Sequence, residues 1–153
     1  MAARSVGAVA RITVPCTAER AVDAVQDIKA IELTELKAEH VVVEPTSDDR
    51  GTYGVTGRFA GARWRSRFVY RLHSAGFHSH KLEGEKPHSW GISGGFVVAP
   101  LGGERCMVVH YEDYELPGYL ILLKPAILAY LRWSMREELR RLRDIIVASP
   151  AGD

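Results

Sequence analysis

Residues 125–147 read PAILAYLRWSMREELRRLRDIIV, and within them Leu128, Leu131, Met135, Leu139, Leu142 and Ile146 recur at spacings of three and four. Such spacing sets one apolar stripe along a helix of about six turns. Arg132, Arg136, Arg140 and Arg143 fall off the stripe and face water. Pro125 suits the first helical turn, where a missing N–H leaves no hydrogen bond unmade. Upstream the period is different: from residue 40 onward apolar and polar residues alternate in short runs, the signature of strands with one buried face. A sheet followed by a single long helix leaves a concavity that the helix cannot fill, and a small molecule would occupy that space.

The alternating runs predict strands at 40–45, 52–59, 62–72, 77–83, 90–99 and 105–116. Turn chemistry separates them: Asp48, Asp49 and Gly51, then Gly61, then residues 74–76, 84–87 and 100–103, all rich in Gly, Pro, Ser or Asp. Short turns make neighbouring strands antiparallel. Before them, Val6, Ala8, Ala10, Ile12 and Val14 alternate up to Pro15, which ends a first strand. Thr17 then caps a short helix whose buried stripe is Ala21, Val22, Val25 and Ile28, and a second short helix follows at about 30–36. The expectation is an α+β fold in which a seven-stranded antiparallel curved sheet wraps around a long C-terminal helix, with two short helices after strand 1. One domain spans residues 1–148, and 149–153 form a flexible tail.

With 153 residues the chain suits one domain with a substantial core. A net charge of +1 gives no general attraction to nucleic acid. Cys16 and Cys106 lack CxxC spacing, which argues against a zinc ribbon or dithiol redox site. Residues 1–14 contain no apolar run of signal-peptide length, and nothing elsewhere is long enough to span a membrane, so the expected compartment is the cytoplasm.

The element order resembles the helix-grip superfamily called START-like or SRPBCC, which includes polyketide cyclases, aromatases and lipid-transfer domains. Besides the order, the resemblance rests on Ile12-Thr13-Val14-Pro15 closing the first strand, the Gly-containing second hairpin, the Pro100-Leu101-Gly102-Gly103 turn and the Arg-rich terminal helix. The chain departs from the family in lacking an Asp-Pro-aromatic motif after the first helix, where Asp27-Ile28-Lys29 runs on instead. The resemblance implies a cavity for a hydrophobic small molecule between sheet and helix.

Several residues are candidates for that cavity. On the 62–72 strand Trp64, Phe68, Tyr70 and Leu72 share one face, while Arg63, Arg65, Arg67 and Arg71 share the other, the solvent side. Trp90 and Phe96 lie on a strand that Gly91, Gly94 and Gly95 allow to bend. Val108, His110, Glu112 and Tyr114 share a face of the last strand. His110 and Glu112 are then positioned to shift each other's protonation and act as acid and base, with Tyr70 as a further catalytic candidate; the alternative is that this face meets solvent in ordinary cross-strand pairs. Tyr119 and Leu123, in the apolar run after Pro117-Gly118, resemble a lid. Ile127, Tyr130 and Leu131 on the long helix complete the expected wall.

His78 and His80 share a strand face, but no third ligand stands at a supporting spacing, so no metal site and no cofactor is expected. Glycines 51, 54, 57 and 61 precede no helix N-terminus, which excludes a phosphate loop. The leading function is binding of a lipid, polyketide or isoprenoid in the cavity. A polyketide cyclase/aromatase-like enzyme that uses cavity polar groups is the alternative, and a protein- or membrane-interaction module is the second. The partners expected are a hydrophobic small molecule and no nucleic acid, with membrane contact left open but no spanning segment, for a monomer or homodimer.

Overall fold

A computed structural model describes residues 4–59, 61–82 and 91–149. Strand β1 (Ser5–Val14) leads through helix α1 (Ala18–Gln26) and a single 3-10 turn at Ile28–Ala30 into the short helix α2 (Ile31–Thr34). Strands β2 (His40–Ser47), β3 (Arg50–Phe59), β4 (Ala62–His73), β5 (Gly76–Lys81), β6 (Gly91–Pro100) and β7 (Cys106–Glu115) follow. A 3-10 segment at Gly118–Leu123 opens into α3 (Lys124–Ala148). The observed elements lie within a few residues of those expected from the alternation and the turns. Thr17 does cap α1, accepting from the Arg20 backbone N–H at 3.3 Å.

The strands form one antiparallel sheet in the order β1-β7-β6-β5-β4-β3-β2. From β2 to β7 it is a meander, and only the β1-to-β2 connection crosses the whole sheet, carrying α1 and α2 with it. The 25-residue α3 lies against β1 and buries Leu131, Met135, Leu139, Leu142 and Ile146 on the stripe that its spacing specifies. They join Val6, Val14, Val108 and Val25 in one core. A second core gathers Ile28, Ile31, Val41, Tyr53, Phe68 and Tyr70 toward the β2 end of the sheet. One helix thus packs closely at one end of the sheet, two short elements cover the other end, and a cavity remains between them. Cys16 and Cys106, ninety residues apart, meet in the first core as free thiols with Sγ atoms 3.9 Å apart.

Cross-strand register decides what faces that cavity. It sets Tyr70 opposite Ser79, Ser79 opposite Gly94, and Gly94 opposite Glu112; a neighbouring row runs Phe77, Phe96, His110. Partners directly opposite share a face, so the pleat alone places these side chains together. Arg65, Arg67 and Arg71 of β4 lie exposed on the outer face, where Arg67 pairs with Glu44 at 3.2 Å; Arg63, also exposed, borders the cavity. Three glycines in and just after β3 serve different ends. A Cβ at Gly57 would stand 1.9 Å from the Lys37 carbonyl oxygen, so the segment after α2 lies directly on β3 only because that side chain is absent. Gly61 has φ +85° in the β3–β4 turn, a conformation that favours glycine. At Gly54 a Cβ would meet nothing within 4 Å. No described helix is long and apolar enough to cross a membrane.

Gly57→Ala is therefore expected to destabilise the protein by about 1–3 kcal/mol or more, because the Lys37 backbone must move. Gly54→Ala should stay within about 0.5 kcal/mol of the parent. Urea titration of the two variants tests the difference.

Candidate functional site

The cavity has a volume of about 260 Å³. Its walls carry Tyr53, Phe59, Trp64, Phe68, Phe77 and Phe96, and one end is polar, with Glu35, Lys37, His110, Glu112, Tyr114 and Glu138. The walls come from the inner face of the sheet. Tyr53 stacks on Phe68 with ring centroids 5.1 Å apart, and Trp64 meets Phe68 edge-on at 6.4 Å. These contacts hold the rings in place and leave apolar surface for a ligand. Ser66 and Ser79 break the apolar lining, and Tyr53 Oη donates to Ser79 Oγ at 2.9 Å.

The polar end joins three parts of the chain. Lys37, from the segment between α2 and β2, places Nζ 3.2 Å from both oxygens of Glu112 on β7. The same ammonium lies 3.4 Å from Glu138 of α3 and 3.6 Å from Glu35. The Lys37 carbonyl accepts from Trp64 Nε1 at 2.9 Å, which, together with the gap at Gly57, fixes where the side chain begins. His110 stacks on Phe96 with centroids 4.1 Å apart. Its Nδ1 bonds the Gly95 carbonyl at 3.0 Å, and its Nε2 stands 3.3 Å from both Glu112 and Glu138. Tyr114 Oη donates to Glu112 at 2.9 Å. Lys37, His110, Glu112 and Glu138 are all at least nine-tenths buried.

Burying this many charges is costly unless they neutralise one another, and two bases against two acids do so. The protonation equilibria follow. Burial alone would lower the Lys37 ammonium, yet Glu112 and its other acidic neighbours hold it well above the ordinary lysine value. Burial likewise opposes charge on His110, but Glu112 and Glu138 push it up to about 10. Burial would raise the Glu112 carboxyl; Lys37 and His110 outweigh that and hold it well below the usual carboxylate range. Glu35 differs, since burial prevails over the attraction of Lys37 and lifts its carboxyl to about 7. Among these groups, Glu35 is the one poised to exchange a proton near neutrality.

The structure separates the residues singled out by sequence. Trp64, Phe68, Phe96, His110 and Glu112 line the cavity. The face of β7 carrying His110 and Glu112 is the buried one, not the solvent-facing alternative. Tyr70 lies in the second core against Tyr53 and is not among the lining residues, although Ser79 directly opposite it is. Val108 and Leu131 are fully buried in the first core, and Ile127 packs at its margin. Tyr130 rests edge-on against Phe59. Tyr119 and Leu123 are exposed, as is the neighbouring Leu122 at 88%; a tight 3-10 segment cannot turn every member of an apolar run inward. Trp90 lies outside the described residues. Sequence reasoning missed Lys37, Glu35 and Glu138. The signal available for Glu138 was its position three residues after Met135 and four after Ser134, on the buried side of α3.

The charge arrangement makes both stability and its pH dependence testable. Lys37→Met leaves buried acids without their cation and is expected to cost about 3–5 kcal/mol in urea denaturation. Adding Glu112→Gln should recover part of that loss. As for pH, a carboxyl raised from 4.5 to about 7 stabilises the fold below pH 4.5 and loses that contribution as pH rises through 7. His110, raised from 6.5 to about 10, keeps its contribution below pH 6.5 and loses it as pH rises through 10. Between pH 4.5 and 7 the parent should therefore lose stability relative to Glu35→Gln, measured by chemical denaturation of both at a series of pH values.

Comparison with known proteins agrees with this geometry. The family described as polyketide cyclase/dehydrase and lipid transport matches residues 5–146. A search of curated protein sequences finds no significant match. Among solved structures, TTHA0849 from Thermus thermophilus superposes with a TM-score of 0.79 at 19% identity, over 95% of this chain and 100% of that one. The Zhui aromatase/cyclase from Streptomyces sp. R1128 gives 0.79 at 13% identity, over 97% and 99%. A START superfamily protein from Mycobacterium smegmatis gives 0.73 at 12% identity, over 92% and 97%. With a helix-grip fold, a cavity between sheet and helix, and a family match over nearly its whole length, the chain belongs to the polyketide cyclase/dehydrase and lipid transport family.

Proposed function

We propose that the protein binds a largely apolar, carbonyl-bearing small molecule in the cavity and assists its cyclisation by proton transfer. The observation that carries this reading is the convergence of Glu35, Lys37, His110, Glu112 and Glu138 on one end of an aromatic-walled cavity. Simple carriage of an apolar molecule needs no such set of buried ionisable groups.

The chemistry would run as an intramolecular aldol step. Glu35, ionised, takes a proton from the carbon beside a substrate carbonyl, and the electron pair moves onto that oxygen, where the Lys37 ammonium stabilises the enolate. The enolate carbon then attacks a second carbonyl of the same chain, forming the ring bond. The new alkoxide takes the proton back from Glu35, and loss of water completes the dehydration. The aromatic walls exclude solvent and hold the chain folded so that the two carbons meet. A structural neighbour is named an aromatase/cyclase, and the family description includes both cyclisation and dehydration.

One observation favours a carrier instead. His110 is pushed up to about 10, and Glu112 is held far below its usual range. Both are therefore fixed in their charged forms and suit recognition of a polar headgroup better than proton exchange.

Native mass spectrometry of protein purified from its own host, followed by denaturation and extraction, is expected to release an apolar molecule with a carbonyl, phenol or hydroxyl group. With that compound or its linear precursor, Glu35→Gln should cut turnover by about 10²-fold or more while retaining the ligand. A bound ligand that is never converted supports carriage. Protein that neither retains nor takes up such compounds sinks both readings.

A further inference from the structure

The polar end of the cavity holds a set of donor atoms whose arrangement has a use of its own, apart from any organic ligand. His110, Glu112 and Glu138 each offer one ligand atom, and these atoms all lie within 4.8 Å of one another. His110 Nε2 is 3.3 Å from Glu112 Oε1 and 3.3 Å from Glu138 Oε2. Four donors placed tetrahedrally about 2.0–2.1 Å from a zinc-sized ion are separated by about 3.3 Å, so these two separations already match a coordination shell. The imidazole is oriented as in metal sites: Nδ1 faces the Gly95 carbonyl at 3.0 Å, which leaves Nε2 directed at the carboxyl groups.

A second observation points the same way. His110 Nε2 and both carboxyl oxygens of Glu138 are buried yet make no hydrogen bond of acceptable geometry. Glu138 is 2% exposed and His110 5%. They meet one another and Lys37 only as ion pairs at 3.3–3.4 Å, and buried polar atoms are rarely left without a hydrogen bond. Beside the three donors stands the Lys37 ammonium, at 3.4 Å from Glu138 and 3.2 Å from Glu112, the place a fourth group would take. The donors also stand on rigid elements, two from alternate positions of β7 and one from the middle of α3.

We propose that His110, Glu112 and Glu138 form a site for a divalent transition-metal cation, and that the Lys37 ammonium is the competing cation that holds the site when metal is absent. Imidazole combined with two carboxylates suits zinc, cobalt, manganese or iron better than calcium or magnesium, which favour all-oxygen shells. Two carboxylates match the charge of the ion and remove the penalty of burying it. The remaining coordination position opens into the cavity, which all four side chains line. Metal entry would release the proton that His110 Nε2 carries and displace the Lys37 ammonium, so the metal-loaded site and the enolate-stabilising role of Lys37 are alternative states of the same polar end.

The test uses the full chain, stripped with chelator, and the metal alone. Cobalt(II) should bind stoichiometrically and develop visible ligand-field bands, and zinc(II) should displace it. By calorimetry, Glu138→Gln should weaken zinc binding by about tenfold or more, and Lys37→Met should tighten it by about tenfold or more because its competitor is gone. A purely structural ion cluster would lose stability in Lys37→Met without gaining any affinity for zinc. His78→Ala, on the exposed face, should leave binding unchanged. No saturable zinc binding, binding insensitive to Glu138→Gln, or binding lost in His78→Ala overturns the proposal, as does a folded Lys37→Met that binds no more tightly. Should Lys37→Met fail to fold, the cobalt spectra of the parent and of the isosteric Glu138→Gln decide the matter by themselves.

Discussion

Charge neutralisation in a dry interior governs this molecule. Lys37, Glu112, Glu138 and His110 come from three separate stretches of chain, and none can be buried without the others. Removing one partner leaves a charge exposed to a low-dielectric surrounding, which costs far more than the attraction between exposed ions would return. The cluster therefore fixes the segment after α2, strand β7 and helix α3 relative to one another. That fixed spacing is also what keeps the cavity open. Apolar side chains at those positions would pack together and close it, whereas ion pairs demand their own geometry and leave space on the side that no partner occupies.

Backbone hydrogen bonding supplies the frame on which the cluster depends. The row Tyr70, Ser79, Gly94, Glu112 alternates large, small and absent side chains across four strands. Gly94 leaves the region over Glu112 uncrowded, and Ser79 leaves room beside Tyr53. A bulky residue at either place would fill the space that the ligand reading requires. The cavity is thus a property of register as much as of composition.

This division explains what was legible in the chain. Strands β3, β4 and β7 were readable because one face of each is buried, so polarity alternates with period two, and α3 was readable because its apolar positions recur at three and four. The inward direction of Phe68 and the outward direction of Arg67 follow from that alternation alone. Lys37 and Glu35 carry no such mark. Lys37 and Glu35 sit in a connection without periodicity, and charged residues in connections are normally solvated. Glu138 carries a fainter mark: it stands at helical spacing from Ser134 and Met135 on the buried stripe of α3, but between Glu137 and Arg140 it reads as one more surface charge. Tyr70 shows the converse: alternation gives the face on which a side chain lies, and the curvature of the sheet decides whether that place is cavity or core.

The pairing of β1 with β7 has a consequence for how the chain reaches this structure. Their register matches Ser5 with Glu115 and Val14 with Cys106, so the first strand must wait for the last. Every other pairing joins strands consecutive in sequence, which can form as soon as both halves exist. During synthesis β1 therefore emerges with one apolar face and no edge to join, and α3, which packs on it, comes later still. Among the strand pairs, β1 with β7 closes the longest loop and so carries the greatest entropy cost. The polar cluster draws on the same late part of the chain, β7 for His110 and Glu112 and α3 for Glu138, so the chemistry of the cavity depends on the elements synthesised last.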